Sequence, residues 1–402
     1  MTARSANLAT LRDLNARSVL DALVREHKLS RAEVARRLGM SKPTANHAIE
    51  TLTAAGLVRE AARPEGELHY GAVFFEPAFD LGQVLGIDIG GRWIRGALAD
   101  LGGGVVARYD HPRTEGGATA LLADIAEVHA RLTADAAPGT AGVLGTMVAV
   151  AGVVEPESGR MRVTSEQELE GYPIIEALSP VLPNLLDVDN DVNLAALGEL
   201  RRGAGRESED FAFLAVGSGV GAGLVLEGRL RRGRNGAAGE IDYPGHRPFA
   251  VDSPAADSLR ALIADGHRAE VRAGRAAGGE EPPTPEELFA RARLGDPFAL
   301  KVVREEAHRM AGSIATIALV VDVPLVVVGG GVGLNGAVLL DPLRSRLAQM
   351  VPFPPRVQIS ELGDAAVLIG AVSVAAGTAW PRLIDTRLAD ARSTESPQGA
   401  IR

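Results

Sequence analysis

The chain contains no cysteine among its 402 residues, which excludes a disulfide framework, a thiol nucleophile and a thiolate zinc site. Long apolar runs are missing too. The stretches Ile317 to Val323 and Pro324 to Val328 are interrupted by Asp322 and fall short of the roughly 18 residues a membrane span needs. No membrane partner is expected. Arg4, Arg12, Asp13 and Arg17 leave the N-terminus without a continuous apolar core, unlike a secretory signal, so a cytoplasmic chain is expected. What is present is 46% apolar content, enough to bury the cores of two or three folded units.

The formal net charge of −9 argues against nucleic acid until its distribution is read. Residues 1 to 63 hold 11 Lys and Arg against 6 Asp and Glu, a net of +5, and the remainder carries −14. A basic head on an acidic body suits a DNA-binding module whose larger partner must not adhere to phosphate. Leu11, Leu14, Val19, Leu20, Leu23 and Val24 recur at helical spacing. Ser30 followed by Glu33 is a capping box, Gly39 a stop, and Ser41 with Pro43 the start of a third helix that Gly56 ends. The turn Leu38 to Ser41 has helix-turn-helix spacing, which puts the third helix in the major groove.

Ser41, Lys42, Thr44, Asn46 and His47 then face bases and phosphates, with Arg31 and Arg63 as further cations at the DNA. Leu57-Val58, the turn Pro64-Glu65-Gly66 and the run Tyr70 to Phe75 read as a β-hairpin wing. A three-helix interaction module with surplus surface arginines is the alternative reading.

From Val84 apolar runs alternate with glycine-rich turns and helical stretches, the pattern of an α/β fold. Val84 to Gly91 closes in Asp88-Ile89-Gly90-Gly91, and Ala215 to Val225 carries Gly217, Gly219, Gly221 and Gly223. Val326 to Val332 carries Gly329, Gly330 and Gly331, with a helix from about Ala337. Such turns can present amides to a phosphate and a carboxylate to its metal, and equally can serve only the chain reversal. Asn190-Asp191 stands where a strand enters a helix over Leu194 to Leu200. Either residue can cap that helix, or a carboxylate there can act as general base toward a substrate hydroxyl.

The order Asp88-x-Gly90-Gly91, Asn190-Asp191, Gly217-x-Gly219-x-Gly221-x-Gly223, Ala238-Gly239-Glu240 and Gly329-Gly330-Gly331 resembles the ROK family of sugar-responsive repressors and sugar kinases, over residues 10 to about 380. The resemblance implies an actin-like, two-lobed α/β body at 82–382 behind a winged helix-turn-helix at 8–78. The small lobe would comprise about 82–190 and 364–382, the large lobe about 191–363. It also implies that the first two glycine hairpins held ATP phosphates, with the third cluster near the adenosine. Asn190, Asp191 and Glu240 would contact a sugar, and Asp191 would be the vestigial general base.

Three departures weaken the kinase side of that resemblance. Arg92 stands where the family's kinases usually have threonine, Glu240-Ile241-Asp242-Tyr243 lacks their Ile-Gly-His histidine, and Pro244 to Pro248 replaces their cysteine-rich zinc loop. No enzyme activity, cofactor or metal is therefore expected, although an ATP-dependent sugar kinase with a DNA-binding head is the alternative. Tyr243 is a candidate sugar contact in place of the histidine, or a structural tyrosine. Asp88 can form an internal ion pair with Arg92 instead of holding a metal. Arg229, Arg231, Arg232 and Arg234 read as a solvated loop or subunit contact. Ala273 to Pro285 reads as a flexible insertion before a helix at Thr284, and residues 385–402 as a disordered tail. The expected protein is a sequence-specific repressor with operator DNA and a sugar or sugar derivative as partners, acting as a homodimer or dimer of dimers.

Overall fold

The computed structural model describes residues 2–61, 72–134, 142–164, 167–242, 251–275, 279 and 281–395. The head consists of α1 (Thr2–Glu26), β1 (Leu29–Ser30), α2 (Arg31–Leu38), α3 (Lys42–Ala54), β2 (Val58–Glu60) and β3 (Phe74–Pro77). Local chemistry sets its helix ends. The Glu33 amide donates to Ser30 Oγ at 3.3 Å while the Ser30 amide donates to Glu33 Oε2 at 2.8 Å, so two free donors at the start of α2 are satisfied. Gly39 ends α2 at φ +62°, and Ser41 caps α3 with Pro43 in its first turn. The strands form a small antiparallel sheet in the order β1-β3-β2.

The apolar face of α1 is Ala16, Val19, Leu20 and Leu23, all buried, whereas Leu11 and Leu14 are exposed. Among the described residues the returning wing strand spans Phe74–Pro77, with Ala72 and Val73 ahead of it outside the strand, and Tyr70 and the expected turn Pro64 to Gly66 lie outside the described residues.

A single 3-10 turn, Phe79–Leu81, leads into the body. Its first sheet contains β4 (Gln83–Ile89), β5 (Trp93–Asp100), β6 (Val105–Pro112), β7 (Val143–Val150) and β10 (Leu185–Asn190), with α4 (Gly117–Thr133) crossing between β6 and β7. Between β7 and β10 lie the hairpin β8 (Val153–Val154) and β9 (Met161–Arg162) and the short α5 (Ile174–Leu178). After α6 (Asp191–Arg202) the second sheet contains β11 (Phe211–Val216), β12 (Val220–Leu226), β13 (Arg229–Leu230), β14 (Leu325–Gly329) and β15 (Arg356–Ile359). Helices α7 (Ala256–Arg272), α8 (Pro285–Arg293) and α9 (Pro297–Val321) precede β14, and α10 (Gly330–Gly333) and α11 (Gly336–Met350) follow it. The last element is α12 (Ala366–Glu395).

The sheets run β6-β5-β4-β7-β10 and β13-β12-β11-β14-β15. In each, two antiparallel hairpin neighbours are followed by two parallel pairings. The topology is therefore duplicated, the two-lobed α/β arrangement expected of an actin-like body.

Residues 385–395 are not a disordered tail but the last turns of α12, and 396–402 lie outside the described residues. Ile384 and Leu388 are buried, in the same continuous core as Ala16, Val19, Leu20 and Leu23 of the head and Val84, Ala97 and Met147 of the body. Ion pairs between Arg17 and Asp385 and between Arg392 and Asp13 flank that contact. The polar composition of this segment misleads because its polar side chains pair with the head while its apolar ones recur at i, i+4. The segment Gly363–Arg392 is long and apolar enough to cross a membrane by composition, but half of its apolar window is buried, and α12 packs on α6 and β4.

Candidate functional site

The candidate ligand residues are positioned at the ends of strands and in a turn. Asn190 closes β10 and is the N-cap of α6: its Oδ1 accepts the amides of Val192 at 2.9 Å and Asn193 at 3.2 Å, while its Nδ2 donates to the Gly152 carbonyl at 3.0 Å. The capping reading thus holds for Asn190, leaving one amide hydrogen for a ligand. Asp191, the first residue of α6, accepts the Val192 amide at 2.8 Å. Burial, then the charge of Asp88, then that of Glu240 push its carboxyl up to about 7. Burial also raises Glu240. Asp191 thus feels the charges of both Asp88 and Glu240, with no cation among the causes that act on it.

Glu240 is delivered by the turn Ala237–Ile241. At Gly239, with φ +95°, a Cβ would stand 1.7 Å from the Ala222 carbonyl oxygen, so only glycine lets this turn lie on β12, where the Ala222 amide donates to the Gly239 carbonyl at 2.9 Å. Tyr243, the other candidate contact, lies outside the described residues, as does Arg63 of the head.

Gly90 and Gly91 form the turn between β4 and β5, and Gly217 and Gly219 the turn between β11 and β12. Gly221 lies within β12 against Val192 of α6, while Gly329 ends β14 and Gly330 and Gly331 open α10. Asp88 is buried in β4, and its ion-pair partner is Arg95 on β5, at 3.3 Å, not Arg92. Arg92 is exposed in the turn. Register explains the correction: Asp88 faces Arg95 directly across the hairpin, and facing residues share one side of a sheet. Burial still raises Asp88 despite that arginine.

Raised carboxyls make a pH prediction. Between about pH 4 and pH 7 the folded chain holds a proton at Asp191 that the unfolded chain releases, so stability falls as pH rises through this range and the loss persists above it. Asp191→Asn keeps the acceptor for Val192 and removes the penalty. The variant is expected to melt several degrees above the parent at pH 8, by about 2 kcal/mol, and to match it below pH 5. Melting curves at pH 5 and pH 8 that differ from the parent by equal amounts would overturn this.

On the head, Lys42, Asn46 and His47 are exposed on the first turns of α3. Ser41 and Thr44 are occupied in the cap, with the Thr44 amide donating to Ser41 Oγ at 3.3 Å and the two hydroxyls 2.7 Å apart. Arg31 stacks its guanidinium 4.4 Å from the centre of the Phe75 ring, a contact that fixes it on the head's surface. Arg12 and Asn15 of α1 line a groove with Pro43, Thr44 and His47, so they border the recognition helix. In the sequence Arg12 contributes only charge, because helical periodicity ranks apolar positions and is silent on which polar ones face a partner.

A two-sheet α/β body of duplicated topology with glycine turns at its strand ends, behind a winged helix-turn-helix, defines a fusion of a sugar-kinase-type fold with a DNA-binding fold. The ROK family model matches residues 84–378, and the chain belongs to the ROK family. The MarR family model matches residues 13–67. The xylose repressor of Caldicellulosiruptor bescii is 24% identical over 393 residues, 92% of this chain and 96% of that one. A solved ROK family transcriptional regulator homologous to the E. coli MLC protein superposes with a TM-score of 0.73 at 19% identity, over 94% of this chain and 99% of that one. A ROK glucokinase from Streptomyces griseus, solved with glucose and AMPPNP, gives a TM-score of 0.63 at 25% identity over 73% of this chain and 99% of its own.

Proposed function

We propose that this chain is a sugar-responsive transcriptional repressor acting in the cytoplasm: the head binds operator DNA, and the cleft between the lobes binds a sugar or sugar derivative through Asn190, Asp191 and Glu240. The observation that carries the reading is the near full-length likeness to a xylose repressor, head included, joined to a capped recognition helix whose Lys42, Asn46 and His47 are exposed. A homodimer or dimer of dimers fits two half-sites of an operator. Ligand binding shifts the protein between closure states only as far as its affinity differs between them.

Kinase chemistry has in its favour the likeness of the body to a ROK glucokinase and an Asp191 carboxyl raised to about 7, as a base would be. Against it, the Asp88 carboxylate that would hold a nucleotide's metal is buried and paired with Arg95, and Arg92 fills the place of a small hydroxyl. These residues do not fit a metal-bound nucleotide, so no turnover is proposed. ATP consumption with hexoses, pentoses and amino sugars, abolished by Asp191→Asn, would overturn that part of the reading.

The direct test is a mobility shift on the DNA upstream of the protein's own coding region, repeated with D-xylose, D-glucose, N-acetylglucosamine and their phosphates. Specific binding altered by one sugar is expected. The affinity should also fall by about a thousandfold between 50 and 200 mM salt as counterions are released, and Lys42→Ala should flatten that dependence by about one unit of log–log slope per head. A salt-independent affinity would overturn the assignment of the head.

A further inference from the structure

Arg232 belongs to a run of arginines that composition alone assigns to solvent or a subunit contact, and the structure gives it a different place. Its Nε and one terminal nitrogen donate to Asp189 Oδ2 at 2.8 and 2.7 Å. The other oxygen, Oδ1, accepts the Asn190 amide at 2.8 Å and Asn193 Nδ2 at 3.0 Å. Asp189 is buried at the end of β10, one residue before the Asn190–Asp191 junction. Arg232 comes from the other sheet: it follows β13 and opens the loop that ends in Glu240. Its carbonyl accepts the Ala238 amide at 3.0 Å, closing that loop, and Arg231 anchors the loop's start by donating its amide to Leu224 at 2.7 Å. At Gly236 a Cβ would stand 2.9 Å from the Val154 carbonyl oxygen, so the loop also lies on the β8 hairpin, whose neighbour Gly152 accepts from Asn190.

We propose that Arg232 is a positioning residue for the sugar site: its guanidinium on Asp189 latches the Glu240 loop of the second sheet to the end of β10 in the first, where the chain enters the Asn190–Asp191 junction. The inference rests on the sugar reading above for its ligand but not for the latch. A ligand that bridges Asp191 and Glu240 needs both at a fixed separation, and misplacement of a binding group costs affinity without touching the ligand. The Arg232 side chain is 46% exposed and screened by solvent, whereas Asp189 is 10% exposed and keeps the Asn190 and Asn193 donors, so losing Arg232 lowers global stability modestly and loosens the loop most.

The test uses the full chain with Arg232→Gln, Asp189→Asn and the double variant, each measured by amide hydrogen exchange and by calorimetric titration with D-glucose, D-xylose and N-acetylglucosamine. Expected are exchange at residues 231–241 faster by about tenfold, a sugar affinity weaker by about tenfold with the melting temperature lowered by no more than a few degrees, and a double variant no worse than either single one. Arg232→Lys should recover part of both effects, since an ammonium keeps the charge but not the forked geometry. Unaltered exchange at 231–241 overturns the proposal whatever the sugars do. A loosened loop with undiminished sugar affinity overturns the positioning role. A loosened loop in a protein whose parent binds none of the sugars supports the latch and overturns the sugar reading instead.

Discussion

Gly370→Val is expected to lower the melting temperature of the body by at least about 10 °C, whereas Gly377→Val, seven residues further along the same helix, is expected to leave it nearly unchanged. Helices α6 and α12 cross at a pair of glycines, backbone on backbone. A Cβ on Gly370 would sit 1.8 Å from the Leu194 carbonyl oxygen and 3.1 Å from the Gly198 amide, and one on Gly198 would sit 2.3 Å from the Ala366 carbonyl oxygen. Overpacking against side chains costs about 1–3 kcal/mol because rotamers relax. Here nothing flexible is in the way, and relief requires the helices to separate, withdrawing α12 from β4 and β7 as well. A loss of at least about 4 kcal/mol follows, a fall in melting temperature on the order of 10 °C. At Gly377 a Cβ meets nothing within 4 Å, so that substitution should stay within about 1 kcal/mol of the parent. Equal melting temperatures for the two variants would refute the close approach.

That crossing was not readable in the sequence, and the reason is general. Local devices announce themselves: the Ser30–Glu33 box, Gly39 and Ser41 act within four residues, and the glycine turns act within one hairpin, so the head's helix ends and the body's α/β character were legible. Asn190 shows the limit of that reading, since the residue type that suits a sugar contact is the type that caps a helix, and the cap is what its side chain makes. Partners distant in sequence leave no local trace. Arg232 and Asp189 are 43 residues apart, and Arg17 and Asp385 are 368 apart. The assignment of Asp88 to Arg92 failed on a nearer matter: counting outward from the turn at Gly90 and Trp93, whose backbones are bonded at 3.0 Å, reaches Arg95, while Arg92 stays in the bend.

The long-range contact with the greatest consequence is the one at the chain's end, and Leu388→Asp is expected to disable DNA binding without disabling the cleft. A head of some 80 residues buries too little surface to be robust alone. In this chain its core continues into α12: Leu388 is 2% exposed within the cluster that includes Ala16, Val19, Leu20 and Leu23, and Trp380 meets Phe79 edge-on with ring centres 5.4 Å apart. Removing the leucine forfeits about 1.5–3 kcal/mol of burial, and the carboxylate placed there has no partner, which adds a further cost of about 1–3 kcal/mol. The flanking pairs Arg17–Asp385 and Arg392–Asp13 are exposed or half-exposed and contribute at most about 1 kcal/mol each, so Asp385→Ala should be nearly silent. The Leu388 variant should therefore show an early calorimetric transition for the head ahead of the body's, with operator affinity lower by at least about tenfold and sugar binding retained. Operator affinity equal to the parent's would mean that the head's core closes without α12, and that the two binding functions are joined only by the short connection through Phe79–Leu81.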